Sequence, residues 1–129
     1  MRELTKHIVP GSVMRNAIRV LVLDGPGPGG ANLEYQIMVT EGQEADGFPI
    51  GHAVHLFFQK GGVKEAGVNG IVDEALLEIL IDRLEGFQRG PFACDANAEA
   101  LEGLNTAMRA LTYRTQERIA RGVEGVVAQ

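Results

Sequence analysis

Three side chains in the C-terminal half of this sequence have the chemistry of a nucleotide site. The Phe87 ring suits stacking on a purine, the Asn97 amide suits a polar ribose edge, and the Arg114 guanidinium suits a phosphate. Their spacing matters more than their identity. Asn97 and Arg114 are 17 positions apart, so on one straight helix their Cα atoms lie about 25 Å apart. A mononucleotide-sized ligand does not bridge that distance. Two chains packed antiparallel about a two-fold axis would bring the start of one helix beside the end of the other. Phe87 and Asn97 of one chain could then meet Arg114 of its partner, giving two equivalent pockets per dimer. Taken singly, each residue also has a plainer reading. Phe87 would be core or a staple, Asn97 a first-turn or solvent-facing amide, and Arg114, Arg118 and Arg121 cations that complement a helix C-terminus.

Other groups point away from catalysis. Gly25-Pro26-Gly27-Pro28-Gly29-Gly30 lacks the Lys-Ser/Thr end of a phosphate-binding P-loop, and its prolines remove amide donors, so it reads as a hairpin loop. His52 and His55 are separated by an odd offset and face opposite sides of a strand, and His7 is remote in sequence. No Cys-x-x-Cys or His-x-x-His pair offers a metal frame. Cys94 sits beside Asp95, which disfavours the thiolate, and no serine occupies a nucleophile elbow. Asp73, Glu74, Glu78 and Glu85 read as a solvated helix face. The expectation is a binding protein with no catalytic residues, no metal and no cofactor.

The elements that must position these groups follow from periodicity. Residues 1–16 mix charges with Pro10 and Gly11 and read as a mobile or loosely docked arm. Alternation at Ile18, Val20 and Val22, then at Leu33, Tyr35, Ile37 and Val39, gives two strands, and Ala53 to Gln59 gives a third. Loops at 25–30 and 42–51 separate them and favour an antiparallel meander over 17–60. From Val72 to about Glu85, Val72, Leu76, Leu80 and Leu84 form a helical stripe that Leu77 and Ile81 widen, with Gly86 as the stop. A second helix starts at an Asp95 N-cap and carries Ala98, Leu101, Leu104, Met108, Leu111 and Thr115 at 3–4 spacing to about Ile119, with Gly122 closing it. The fold class is therefore α+β, an N-terminal sheet followed by a helical hairpin over 71–122. The first helix is apolar on more of its circumference than one sheet covers, so the chain is expected to oligomerise through its helices.

Composition sets the outer bounds. With 129 residues the chain fits one domain, here 17–125 with a 126–129 tail. A formal charge of −5 argues against a surface that coats DNA. The single Cys94 forms no internal disulfide, the N-terminus has no apolar signal region, and no apolar run approaches membrane-spanning length. These features fit a soluble cytoplasmic protein.

From about Ala17 to Gly125 the chain resembles the phage-encoded Thoeris anti-defence protein family of the first type. The likeness is carried by Ala17-Ile18-Arg19-Val20, Pro28-Gly29-Gly30-Ala31-Asn32, Phe58-Gln59-Lys60-Gly61, Lys64-Glu65-Ala66-Gly67-Val68-Asn69-Gly70, Asp82-Arg83-Leu84-Glu85-Gly86-Phe87-Gln88 and Gly90-Pro91-Phe92-Ala93-Cys94. Arg114-Thr115, Arg118 and Arg121-Gly122-Val123-Glu124-Gly125 complete it. Where the family commonly continues Glu-Gly-Thr-His, this chain has Glu124-Gly125-Val126-Val127, and where it often has Cys-Arg-Glu-Asn, this chain has Cys94-Asp95-Ala96-Asn97. The resemblance implies a sponge that sequesters cyclic ADP-ribose isomers such as glycocyclic ADP-ribose, made by bacterial TIR-domain proteins, without degrading them. It also implies binding of cyclic oligonucleotide signals of CBASS defence in some members, as homodimers or higher oligomers such as hexamers. By the same resemblance Phe87 stacks the purine and Asn97 and Arg114 contact the ligand. Gln88, Arg118, Ala31 and Asn32 extend the ligand-binding set, and the site of action is the cytoplasm of an infected or lysogenic bacterium. Two other readings remain beside it, a hydrolase of the same signal and a non-catalytic structural or interaction protein.

Overall fold

A computed structural model describes residues 1–126; Val127 and the rest of the expected tail lie outside the described residues. The chain divides into two compact units, Met1–Lys60 and a second beginning at Gly61.

The first unit is a four-stranded sheet of β1 (Arg2–Leu4), β2 (Ile18–Val22), β3 (Glu34–Gln43) and β4 (Pro49–Phe57), in the order β1-β2-β3-β4. Every neighbouring pair is antiparallel, so the sheet is the expected meander with one strand more. The extra strand comes from the residues read as a loose arm. Arg2, Glu3 and Leu4 pair with Val22, Leu21 and Val20. The Arg19 guanidinium donates to the Glu3 carboxylate at 2.8 Å, and that hydrogen bond holds the Glu3 carboxyl below its usual pKa. These contacts are non-local, which is why three residues without hydrophobic period gave no strand signal. The β3–β4 loop is shorter than the expected 42–51: Glu44 N–H donates to Phe48 C=O, and a register shift between Thr40 and Gly42 carries the ladder on to Gln43 and Pro49. At the centre, Leu21 and Val22 of β2 are the buried hydrophobic residues among those described.

The second unit holds α1 (Val63–Ala66), α2 (Asp73–Gln88) and α3 (Asp95–Ala120). α1 falls between the third expected strand and the first expected helix; four residues are too few to show a period. α2 runs through Gly86 instead of stopping there. Gly86 does not adopt positive φ, and the helical bonding continues until Arg89 N–H meets the Glu85 and Gly86 carbonyls. The stop is supplied two residues further on, where Pro91 cannot continue a helix. α3 takes Cys94, not Asp95, as its N-cap, in extended conformation and without a side-chain capping bond. It ends as expected at Gly122, whose φ of +74° lets Val123 N–H reach back to the Arg118 carbonyl. α2 and α3 pack together as a hairpin, yet neither helix has a buried residue. Ile79 is 57% exposed.

Candidate functional site

The hairpin sorts the sequence-derived residues to two ends. Phe87 and Gln88 occupy the last turn of α2 and Asn97 the first turn of α3, so all three lie at the connector. The connector is built by side-chain amides. Gln88 receives the Cys94 N–H on its Oε1 at 3.0 Å and donates from Nε2 to the Cys94 carbonyl at 3.2 Å. It thereby ties the backbone of the N-cap residue Cys94 to the last turn of α2. Asn97 Nδ2 donates to the Phe92 carbonyl at 3.2 Å, folding the Gly90-Pro91-Phe92 turn onto the helix start. Phe87 is 37% exposed, and the Arg83 guanidinium carbon stands 5.5 Å from its ring centroid. One aromatic face is thus already next to a cation from the preceding turn of the helix, and the ring is held in place by it.

Arg114 lies at the other end. It lines a cavity of about 280 Å³ together with Thr115, Arg118, Glu124 and Gly125. The wall opposite α3 is the turn that follows it. Arg118 Nη2 donates to the carbonyls of Val123 and Val126, at 3.1 and 2.6 Å, and so draws the chain back across its own helix. Lys64 N–H then donates to the Gly125 carbonyl at 2.9 Å, bracing the turn against α1. Glycine is needed on both sides of this contact. Gly125 has φ of +85°, and a Cβ on Gly62 would run into the Gly125 carbonyl. Among the described residues, Arg114 makes no hydrogen bond or ion pair. A cation in a cavity without a protein partner is free to take an anion.

Asn97 and Arg114 therefore sit on one unbroken helix, 17 residues and about 25 Å apart. One chain does not bring them together. Ala31 and Asn32 belong to the other unit, in the loop between β2 and β3. There Asp24 takes the Leu33 and Glu34 N–H groups on its carboxylate, and Asn32 donates to the Asp24 carbonyl at 2.7 Å while accepting from Arg2 at 2.8 Å. Gly27 N–H closes the loop on the Ala31 carbonyl. The Gly-Pro run is thus a clamped hairpin loop, and both ends of the Asn32 amide are used in building it. Asp24 and the lining residues Glu124 and Gly125 were not singled out by residue type. The acid directly before a Gly-Pro run, and the Glu-Gly pair after a helix stop, were the available signals. Among the described residues, no group of three His, Cys, Asp or Glu side chains could hold a metal ion, and no helix is long and apolar enough to cross a membrane.

Residues 53–116, from within β4 to within α3, match the Acb2/Tad1 hairpin domain. This match supports a phage Thoeris anti-defence family for the hairpin segment. A relative from this family, Thoeris anti-defense 1 of Bacillus phage SBSphiJ7, is 47% identical over 68 residues, which cover 53% of this chain and 48% of that protein. The chain thus spans about half the length of the curated relative it matches. The Thoeris anti-defence hairpin segment contains Phe87, Gln88, Asn97 and Arg114, while Ala31, Asn32 and Arg118 lie outside it.

Proposed function

We propose that this chain binds and holds a cyclic ADP-ribose-type signal without cleaving it, as a phage or prophage counter-defence protein. The observation that carries the reading is the Arg114 cavity. A guanidinium with no protein partner lines about 280 Å³, slightly less than the roughly 300–1,000 Å³ that drug-sized ligands fill. The space suits the diphosphate of such a ligand and leaves the base and ribose to be met elsewhere. Phe87 and Asn97 have the matching chemistry, but α3 holds Asn97 and Arg114 far apart. A second chain running antiparallel completes the pocket in this reading. The exposed apolar side chains of the hairpin, Ile79 and Leu80 on α2 with Tyr113 and Ile119 on α3, favour such an association. A sponge needs complementarity to the ground state of its ligand, and affinity without turnover asks for no acid, base or nucleophile. Cyclic oligonucleotides of CBASS defence are a second ligand class for the same protein in a higher oligomer.

The test is recovery. The protein is incubated with glycocyclic ADP-ribose, separated from free ligand, denatured, and the released small molecule weighed by mass spectrometry. Ligand returned at its original mass, in stoichiometric amount, supports sequestration. A linear product means a hydrolase, and failure of any cyclic nucleotide to bind leaves an interaction protein.

A further inference from the structure

The Arg114 cavity carries charges of both signs on its walls, and they do not meet. Arg114 stands on α3 and Glu124 on the turn that follows it, and both line the same space. Among the described residues, neither side chain makes an ion pair or a hydrogen bond. The backbone around Glu124 is pinned nonetheless. Arg118 holds the carbonyls of Val123 and Val126, one on each side of it. The Lys64 N–H holds the Gly125 carbonyl, and the Val123 N–H is bonded to the Arg118 carbonyl. Gly122 and Gly125, at φ of +74° and +85°, supply the left-handed steps that this path requires. The chain is thus fixed before and after a residue whose own carboxylate has no partner among the described residues.

A site for a bare anion gains nothing from that carboxylate, which repels like charge. An ionised carboxylate only accepts hydrogen bonds. The group that satisfies both walls therefore carries a negative charge with hydrogen-bond donors close beside it. In a nucleotide the vicinal ribose hydroxyls lie near the phosphate, whereas the amino group of a base lies at the far end. A volume of about 280 Å³ falls short of a whole drug-sized ligand but admits a sugar with its phosphate. An acid on a ribose hydroxyl is also how dinucleotide-binding folds hold their sugar. We propose that Glu124 is the ribose-reading residue of this cavity, its carboxylate accepting from the 2- and 3-hydroxyls of a ribose whose 5-phosphate lies on Arg114. The cavity then selects ribosyl phosphates in which both hydroxyls are free. A cyclic ADP-ribose-type molecule retains such a diol on a ribose joined to its diphosphate. In a 3′–5′-linked cyclic oligonucleotide the 3′-oxygen is taken into a phosphodiester, which brings a second negative charge against Glu124. The inference rests on reading the Arg114 cavity as a nucleotide site, and it separates the two ligand classes at that cavity.

Three probes test it on the full chain: methyl β-D-ribofuranoside 5-phosphate, its 2-deoxy counterpart and inorganic phosphate. Binding is followed by NMR at the Arg114 side-chain N–H and the Gly125 amide. Wild type should bind the ribose probe about tenfold more tightly than the 2-deoxy probe, the effect of one hydrogen bond to a charged acceptor. Glu124→Ala should erase that preference. The two sugar probes have equal charge, so the repulsion lost with the carboxylate cancels from their ratio. Inorganic phosphate, by contrast, should bind both Glu124→Ala and the neutral Glu124→Gln more tightly than wild type. A Glu124 that only shapes the turn would weaken all three probes together, and that result overturns the proposal. So does equal affinity of wild type for the two sugar probes, a preference that survives Glu124→Ala, or failure of both sugar phosphates to bind. Glycocyclic ADP-ribose is titrated alongside. If it does not bind while the ribose preference is present and depends on Glu124, the sponge reading falls and the role of Glu124 stands.

Discussion

A pocket shared between chains predicts a pattern of rescue that no single-chain pocket reproduces. Arg114 has no partner to orphan among the described residues, and Asn97 gives up one bond, to the Phe92 carbonyl. Arg114→Ala and Asn97→Ala should therefore leave the hairpin folded. Charge-assisted hydrogen bonds are worth about 1.5–3 kcal/mol, so loss of one from Arg114 should weaken ligand binding roughly tenfold to 150-fold at 1.4 kcal/mol per decade. Because about 25 Å of helix separates the two positions, each pocket would take Asn97 from one chain and Arg114 from the other. A heterodimer of the two variants then contains one doubly damaged pocket and one that is wild type at both positions. Equimolar unfolding and refolding gives heterodimers as about half of the population by random pairing. Titration calorimetry should therefore find about a quarter of the pockets at full affinity, and about half for the purified heterodimer. A single-chain pocket would leave one lesion in every site and no recovery at all. Absence of full-affinity sites in a mixture that has exchanged chains refutes the shared pocket.

Phe87→Ala should cost binding rather than stability, since the ring is 37% exposed. Base–aromatic stacking of roughly 1–3 kcal/mol predicts a loss of about fivefold to 150-fold by calorimetry, and a fall in melting temperature with unchanged affinity would assign Phe87 to packing instead. Gly62→Ala should drive the turn after α3 away from α1, because its Cβ collides with the Gly125 carbonyl; the expected result is weaker binding at the Arg114 end with the α2–α3 connector amides undisturbed in exchange spectra. Acid should release β1 before the rest of the sheet. The Glu3 carboxyl is lowered in the folded state chiefly by the hydrogen bond from Arg19, so its contribution is present above the unfolded pKa and lost as pH falls through the folded one. Amide exchange at Arg2–Leu4 should accelerate over that acidic window, and Glu3→Gln should remove the pH dependence.

The long helices were legible because their signals are local. The stripe from Val72 to Leu84 and the 3–4 spacing from Ala98 to Thr115 each repeat over several turns, and α3 ends within a residue of its expected limit. Gly86 misled because a glycine stops a helix only when the chain turns there; here the turn comes at Gly90-Pro91, and Gln88 rather than Gly86 ties off the connector. β1 was invisible for a different reason. Arg2 and Glu3 find Asn32 and Arg19 at 30 and 16 residues' separation, and no periodicity within three residues encodes partners so distant. The candidate site was half legible. Residue chemistry pointed to Phe87, Asn97 and Arg114, and counting along a helix showed that two of them are kept apart. The cavity wall was not readable, because it depends on Arg118 capturing two carbonyls beyond the end of its helix.

The continuity of α3 has a thermodynamic consequence. From Asp95 to Ala120 it contains no hinge, so a ligand held between the start of one helix and the end of another has no means of tightening its grip within a chain. If the pocket is shared between chains, the coupling free energy by which ligand strengthens subunit association is the same one by which association strengthens ligand binding. Ligand should slow the exchange of subunits, and dilution below the dissociation constant of the subunits should spill the ligand without any change in chemistry. In that regime the quantity that governs how much signal is withheld is the cellular concentration of the chain itself, which enters to a power greater than one.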